Sequence, residues 1–235
     1  MNRRYIHLTP RLSAALEMLR GSETVADIGC DHGRLTAALL QQGICNRVIA
    51  SDISMPSLQK AEQLLRHIGL SDRVSFRCGD GLDVLKPNEC DAVAILGMGG
   101  TLMCSILDSC NLPLAGAKRI VLQPMRAQAD IREYLYRNRF RITDDRVISE
   151  RDRCYQIFLA QPDTDLQQWP QGFPADFFEV GYQAFAQRDP NLALLCEKQL
   201  AQLKKQMKTA QGTYGEEQLF ARIAAYEQIL RNRTE

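Results

Sequence analysis

The chain has 235 residues, 45% hydrophobic and 24% charged, proportions that suit one sizeable core and exclude low-complexity disorder over most of the length. Lys and Arg total 29 against 28 Asp and Glu, a net charge of +1, so overall charge does not mark a polyanion binder. No run approaches the roughly 18 apolar residues of a membrane span, and residues 1–10 lack the apolar stretch of a secretory signal.

In chain order, residues 10–20 read as a helix. Thr9 is its expected N-cap, Pro10 fits the first position, and Leu12, Leu16 and Leu19 fall on one face. From 24 to 160, short apolar runs alternate with helical patterns. Strands are predicted at 24–29, 47–52, 74–76, 91–96 and 119–123. Helices are predicted at 33–43, 54–68, 100–109 and 128–138. Two further strands, from 140 and over 154–159, follow each other without a helix between. Continuous apolar runs among the early strands suit a parallel sheet covered on both faces. The repeated alternation predicts a doubly wound α/β domain, with an antiparallel strand added at its end.

Pro162, Trp169, Pro170, Gly172 and Pro174 mark 161–187 as a linker or irregular segment. Beyond it, Leu192, Cys196, Leu200, Leu203, Met207 and Ala210 form one helical seam, and Leu219, Ile223, Tyr226 and Leu230 another. The break at 212–215 joins them into a helical hairpin, either packed on the main domain or standing free as a coiled coil. The expected organisation is thus a domain over 1–160, a linker over 161–187 and a hairpin over 188–235.

Charge is unevenly spread. Residues 118–141 carry seven basic and two acidic side chains, and residues 1–20 carry four and one. A polyanion would meet these two stretches. Eight cysteines show no C-x-x-C spacing and mostly sit in apolar runs. They read as reduced core residues of a cytoplasmic protein. Three separated histidines give no metal site.

The strongest local signal is Val25-Ala-Asp-Ile-Gly-Cys-Asp-His-Gly33, a strand running into a small-residue turn that opens a helix. A dinucleotide fingerprint needs G-x-G-x-x-G here. Gly29 and Gly33 are instead separated by Cys30, Asp31 and His32, and Asp31 would repel a pyrophosphate. A nucleoside without phosphates fits better. Asp52, at the end of the second strand, can accept from both ribose hydroxyls. Asp80, after the third, can accept from an adenine amine, with Leu82 over the ring. Gly97, Gly99 and Gly100 after the fourth permit close backbone approach. S-adenosylmethionine, a sulfonium without phosphate, suits this acidic lining. A class I methyltransferase therefore accounts for the pattern better than a dehydrogenase. Other readings are methylation of a small molecule or a protein, or a non-catalytic RNA-binding module on the same scaffold.

Asp27-Ile-Gly-Cys-Asp-His-Gly33, Ile49-Ala-Ser-Asp52, Gly79-Asp-Gly-Leu82, Gly97-Met-Gly-Gly100, Leu122-Gln-Pro124 and Glu150 with Tyr155 occur in that order. Together they resemble the bacterial TrmK family of tRNA adenine-22 N1-methyltransferases, over roughly residues 8–160. The resemblance implies a class I, Rossmann-like methyltransferase domain with a C-terminal helical hairpin or coiled coil. It also implies S-adenosylmethionine as cofactor and tRNA as partner. By the same resemblance, Asp27, Gly29, Cys30, Asp31 and Gly33 would line the methionine end of the cofactor. Asp52 and Ile53 would hold ribose and adenine, and Asp80, Gly81 and Leu82 would bound the adenine. Gly97, Met98 and Gly99 would face the methyl group and target base.

Adenine N1 carries a free lone pair, so the reaction needs alignment and tolerance of a cationic product rather than a strong base. Asp31 is the expected catalytic residue, with His32 second; His32 could equally be a turn residue bonded to backbone. Arg3, Arg4, Arg11 and arginines of 126–141, Arg126 among them, are expected on phosphates. Gln123 and Pro124 are expected on the substrate. A monomer or weak dimer is expected.

Overall fold

The computed structural model describes residues 5–109, 117–163, 171–210 and 215–233. Helix α1 (Pro10–Met18) precedes β1 (Thr24–Ile28), α2 (Arg34–Gln41), β2 (Arg47–Asp52), α3 (Met55–His67) and β3 (Val74–Cys78). Then come β4 (Ala92–Gly99), α4 (Gly100–Ser109), β5 (Arg119–Arg126), α5 (Gln128–Arg137), β6 (Phe140–Glu150) and β7 (Arg153–Pro162). Three helices follow: α6 (Tyr182–Ala186), α7 (Leu192–Ala210) and α8 (Glu216–Arg233). Among the described residues, no helix is long and apolar enough to cross a membrane.

The strands form one seven-stranded sheet in the order β3-β2-β1-β4-β5-β7-β6. The first five are parallel; β7 is antiparallel to both β5 and β6. Strand order reverses between β1 and β4, which opens a crevice at the carboxyl ends of the strands there. Thr9 stands at the N-cap of α1 with Pro10 behind it, but its hydroxyl makes no capping bond.

Side chains alternate across a strand, and the burial pattern shows where each face goes. Val25, Val48, Ala50, Ala92 and Ala94 pack with residues of α1, α2 and α3 on one face. Ala26, Ile28, Ile49, Val93 and Ile95 pack with α4, α5 and the C-terminal helices on the other. This two-sided cover explains why the central strands are apolar throughout.

The C-terminal helices share that second core. Leu192, Leu195, Cys196, Leu200, Leu203, Tyr226 and Ile229 are buried in the same cluster as the sheet residues. Residues of the 171–187 stretch, including Phe173, Val180, Tyr182 and Phe185, join them. Polar contacts reinforce the docking. The Tyr226 hydroxyl lies 3.0 Å from Glu179, which is also paired with Arg222. Lys198 Nζ donates to the Asp152 carbonyl at 2.8 Å.

Beneath α5, the buried Arg132 guanidinium pairs with buried Asp145 at 3.0 Å and lies over the Phe158 ring. Arg132 also donates to the Phe178 carbonyl at 3.3 Å. It is therefore a structural residue and is withdrawn from the phosphate-facing arginines expected over 126–141. Arg3 and Arg4 lie outside the described residues.

Candidate active site

The crevice at the carboxyl edge is a cavity of about 620 Å³. It is lined by residues following four strands: Gly29, Cys30, Asp31 and His32 after β1, Asp52 and Ile53 at the end of β2, Gly79, Asp80 and Gly81 after β3, and Gly97 and Met98 of β4. Arg11 of α1 and Gln123 of β5 close the side nearest β7.

The first turn is held by backbone. Gly29 N and Cys30 N both donate to the Ser51 carbonyl, at 2.9 and 2.8 Å, which clamps the turn to β2. Gly29 has φ +73°, and a Cβ there would lie 2.2 Å from Met98 Cε. The left-handed backbone favours glycine, and a side chain there would also have to displace the end of Met98. Gly33, at the N-cap of α2 with φ +69°, is different. A Cβ there would lie 2.8 Å from the Ala61 Cβ, so this glycine lets α2 approach α3 and does not line the cavity.

Asp52 joins two segments. Its Oδ2 accepts from Asp31 N at 3.0 Å and its Oδ1 from Ser54 N at 2.8 Å. Each oxygen keeps a further lone pair for a ligand hydroxyl. Asp27 is buried and accepts from the Thr36 hydroxyl at 2.7 Å. Burial pushes its pKa up to about 6, against the pull of Thr36's hydrogen bonds, while the Asp52 charge adds to the rise. Burial also pushes the Cys30 thiol well above the usual range, so it is no thiolate nucleophile.

Asp31 has φ 49° and an exposed carboxylate. His32 Nδ1 lies 2.7 Å from Asp31 Oδ2, with both side chains at least half exposed. His32 thus pairs with a side chain rather than with backbone.

The remaining candidates are placed as follows. Leu82 is 1% exposed and sits in the core below the cavity rather than on its wall. Gly99 faces the Arg126 side chain across the β4–β5 pair, and Pro124 is buried within β5. Arg126 is exposed at the end of β5. Arg11 lies with its guanidinium 5.0 Å from the Tyr155 ring centre, and Nη1 is 3.5 Å from Gln123 Oε1. Its Nε is buried and has no hydrogen-bond partner among the described residues. Sequence reasoning missed Thr36, Ser51 and Leu102. Thr36 and Ser51 act through a hydroxyl on a buried carboxylate and a main-chain carbonyl, neither of which leaves a composition signal. Leu102, half exposed on the first turn of α4, lines the cavity only because α4 follows β4 directly.

The arrangement can hold a nucleoside by its hydroxyls and base edge. It offers carboxylates where a dinucleotide would need donors for phosphate. S-adenosylmethionine fits this lining, because its sulfonium is positive and it has no phosphate.

A family model described as a methyltransferase domain matches residues 8–158. The tRNA (adenine(22)-N(1))-methyltransferase of Bacillus subtilis (strain 168) is 34% identical over 156 residues, which cover 66% of this chain and 66% of that protein. The matched stretch is thus just short of two thirds of that relative's length. Among solved structures, an uncharacterized protein of Listeria monocytogenes is 25% identical, with TM-score 0.86 over 95% of this chain and 100% of that one. The M1A22 tRNA methyltransferase TrmK of B. subtilis is also 25% identical, with TM-score 0.78 over 98% and 100%. The family match runs through well over half of the chain and through every strand that bounds the cavity, and on that ground this protein belongs to the methyltransferase-domain family.

Proposed function

We propose that this protein transfers a methyl group from S-adenosylmethionine to N1 of adenine 22 in the D-arm of tRNA. The observation that carries the reading is the acidic cavity at the strand-order reversal, with Asp27, Asp31, Asp52 and Asp80 around a glycine turn and no phosphate cradle. The likeness to the B. subtilis tRNA methyltransferase supports the choice of substrate.

When bound, S-adenosylmethionine supplies an electrophilic methyl on sulfur. Asp52 holds the ribose hydroxyls with the lone pairs left after its two backbone bonds. Ile53, 72% exposed, offers an apolar cover for the adenine of the cofactor, and Asp80 with Gly81 bounds its edge. Asp27, Gly29 and Cys30 form the floor of the methionine end. Gly97 and Met98 face the reacting side.

The target adenine needs no deprotonation before attack. Asp31 accepts from its exocyclic amine and stabilises the positive charge that develops on the ring. His32, through Nδ1, holds the Asp31 carboxylate in place beside the ring that becomes positive. Extruding the base from a folded arm costs a few kcal/mol, which phosphate contacts offset. A tRNA-modifying enzyme with reduced cysteines works in the cytoplasm, as a monomer or weak dimer.

The test is incubation with unmodified tRNA and methyl-labelled S-adenosylmethionine, followed by mapping of the labelled nucleoside. Label in 1-methyladenosine at position 22 is expected. Label elsewhere, or none in tRNA, overturns the proposal.

A further inference from the structure

Resting on the tRNA reading above, we infer that the RNA backbone is met by Arg126, Arg151 and Arg153 at the cavity edge of the sheet. The arginines at 137, 139 and 141 do not take part. Three observations carry this: strand direction, exposure and ion pairing.

Because β7 runs antiparallel to β5, with Leu122 opposite Phe158, the start of β7 lies at the same edge as the cavity. The β6–β7 turn, with Glu150 opposite Arg153, therefore overhangs that edge. Tyr155 ties the turn to the cavity wall through Arg11. Arg153 is two residues from Tyr155, so it shares that face about 7 Å further along the strand. Arg126 reaches the same edge from β5, packed across Gly99.

The opposite edge is set by the same registers. Ile120 pairs with Ala160 and Phe140 with Pro162, so β6 begins at the amino ends of the parallel strands. Residues 137–141 lie there, a full strand length from the cavity. Arg137 is already paired with Glu133 at 2.5 Å, and Arg141 with Asp163.

Arg126, Arg151 and Arg153 are all exposed and make no ion pair among the described residues. Lys198 adds a cation beside the turn and fixes its backbone through the Asp152 carbonyl. These four cations outnumber Glu150 and Asp152, the two acids of the turn. A polyanion whose base enters the acidic cavity passes this rim, where unpaired guanidiniums can neutralise phosphates.

The experiment is anisotropy titration of the full chain with unmodified tRNA across a salt series, with cofactor binding by calorimetry as a check on folding. The R151A/R153A double variant is expected to weaken tRNA binding about tenfold and flatten the salt slope by about two, with cofactor affinity unchanged. R151K/R153K is expected to restore most of the binding, since phosphate contacts read charge. R137A/R139A is expected to stay within about twofold of the parent. Wild-type tRNA binding by R151A/R153A, or an equal loss in R137A/R139A, overturns the inference while leaving the tRNA reading intact. A parent chain that shows no salt-dependent tRNA binding overturns both.

Discussion

The Arg11 guanidinium lies 5.0 Å from the centre of the Tyr155 ring, and this contact joins the first helix to the last strand at the wall of the cavity. Such a contact is worth about 0.5–2 kcal/mol. Here it also orients a side chain whose Nε is buried without a partner and whose Nη1 approaches Gln123 and Met125. Replacing the ring frees Arg11 to swing away from the cavity. Tyr155→Ala should lower kcat/KM for tRNA by about tenfold, the equivalent of roughly 1.4 kcal/mol. Tyr155→Phe keeps the ring face and should stay close to the parent. Steady-state methylation of tRNA measures both, and equal loss in the two variants would move the explanation from the ring to the hydroxyl.

Asp52 anchors two backbone N–H groups and the proposed ribose contact. Asp52→Ala removes every one of these acceptors. Hydrogen bonds to a charged group are worth about 1.5–3 kcal/mol, so cofactor affinity should fall roughly tenfold to a hundredfold in calorimetric titration. Undiminished affinity would remove Asp52 from the cofactor site.

Asp31 stands exposed at the mouth of the cavity, paired with His32 at 2.7 Å. Asp31→Asn keeps the shape but removes the charge offered to the methylated ring. Turnover at saturating cofactor and tRNA should fall by about a hundredfold, the usual scale for removing one group aimed at charge that develops in the transition state. Full turnover in this variant would place the charge stabilisation elsewhere.

Asp27 is pushed up to about 6 from its ordinary 3.8, chiefly by burial. The folded state therefore holds this proton over a range where the unfolded chain has released it. Its contribution to stability is greatest at low pH and is lost as pH rises from about 4 through about 6. Asp27→Asn cannot lose that proton and its amide oxygen still accepts from Thr36. Relative to this variant, the parent should lose on the order of 2 kcal/mol between pH 4 and pH 7, read from urea midpoints. A flat difference between the two across that range would contradict an ionising, buried Asp27.

Much of the architecture was legible in the sequence because its signals are local. Apolar runs with small-residue turns marked β1, β2 and β4, and helical spacing marked α3 and α7. The adjacency of β6 and β7 without a helix announced the antiparallel strand. That Asp27, Gly29, Asp52 and Asp80 line one cavity was legible because each lies at or just beyond the carboxyl end of a strand, and those ends of a parallel sheet share one edge. The buried roles of Gly33 and Leu82 were not legible. Whether a residue near a turn faces a cavity or a neighbouring helix depends on how α2 meets α3 and how the β3 loop folds over α4.

The basic stretch over 118–141 shows the boundary between the two kinds of information most clearly. The order of its residues determined its charge and its strand–helix–strand pattern. Only the folded chain decided that Arg132 would be buried against Asp145, Arg141 paired with Asp163, and Arg126 left exposed at the carboxyl edge. Local pattern follows from bond geometry and hydrophobic spacing, which neighbours in sequence suffice to set. Exposure, pairing and edge depend on contacts between distant segments, and the reversal of β7 fixes those only once the sheet is assembled.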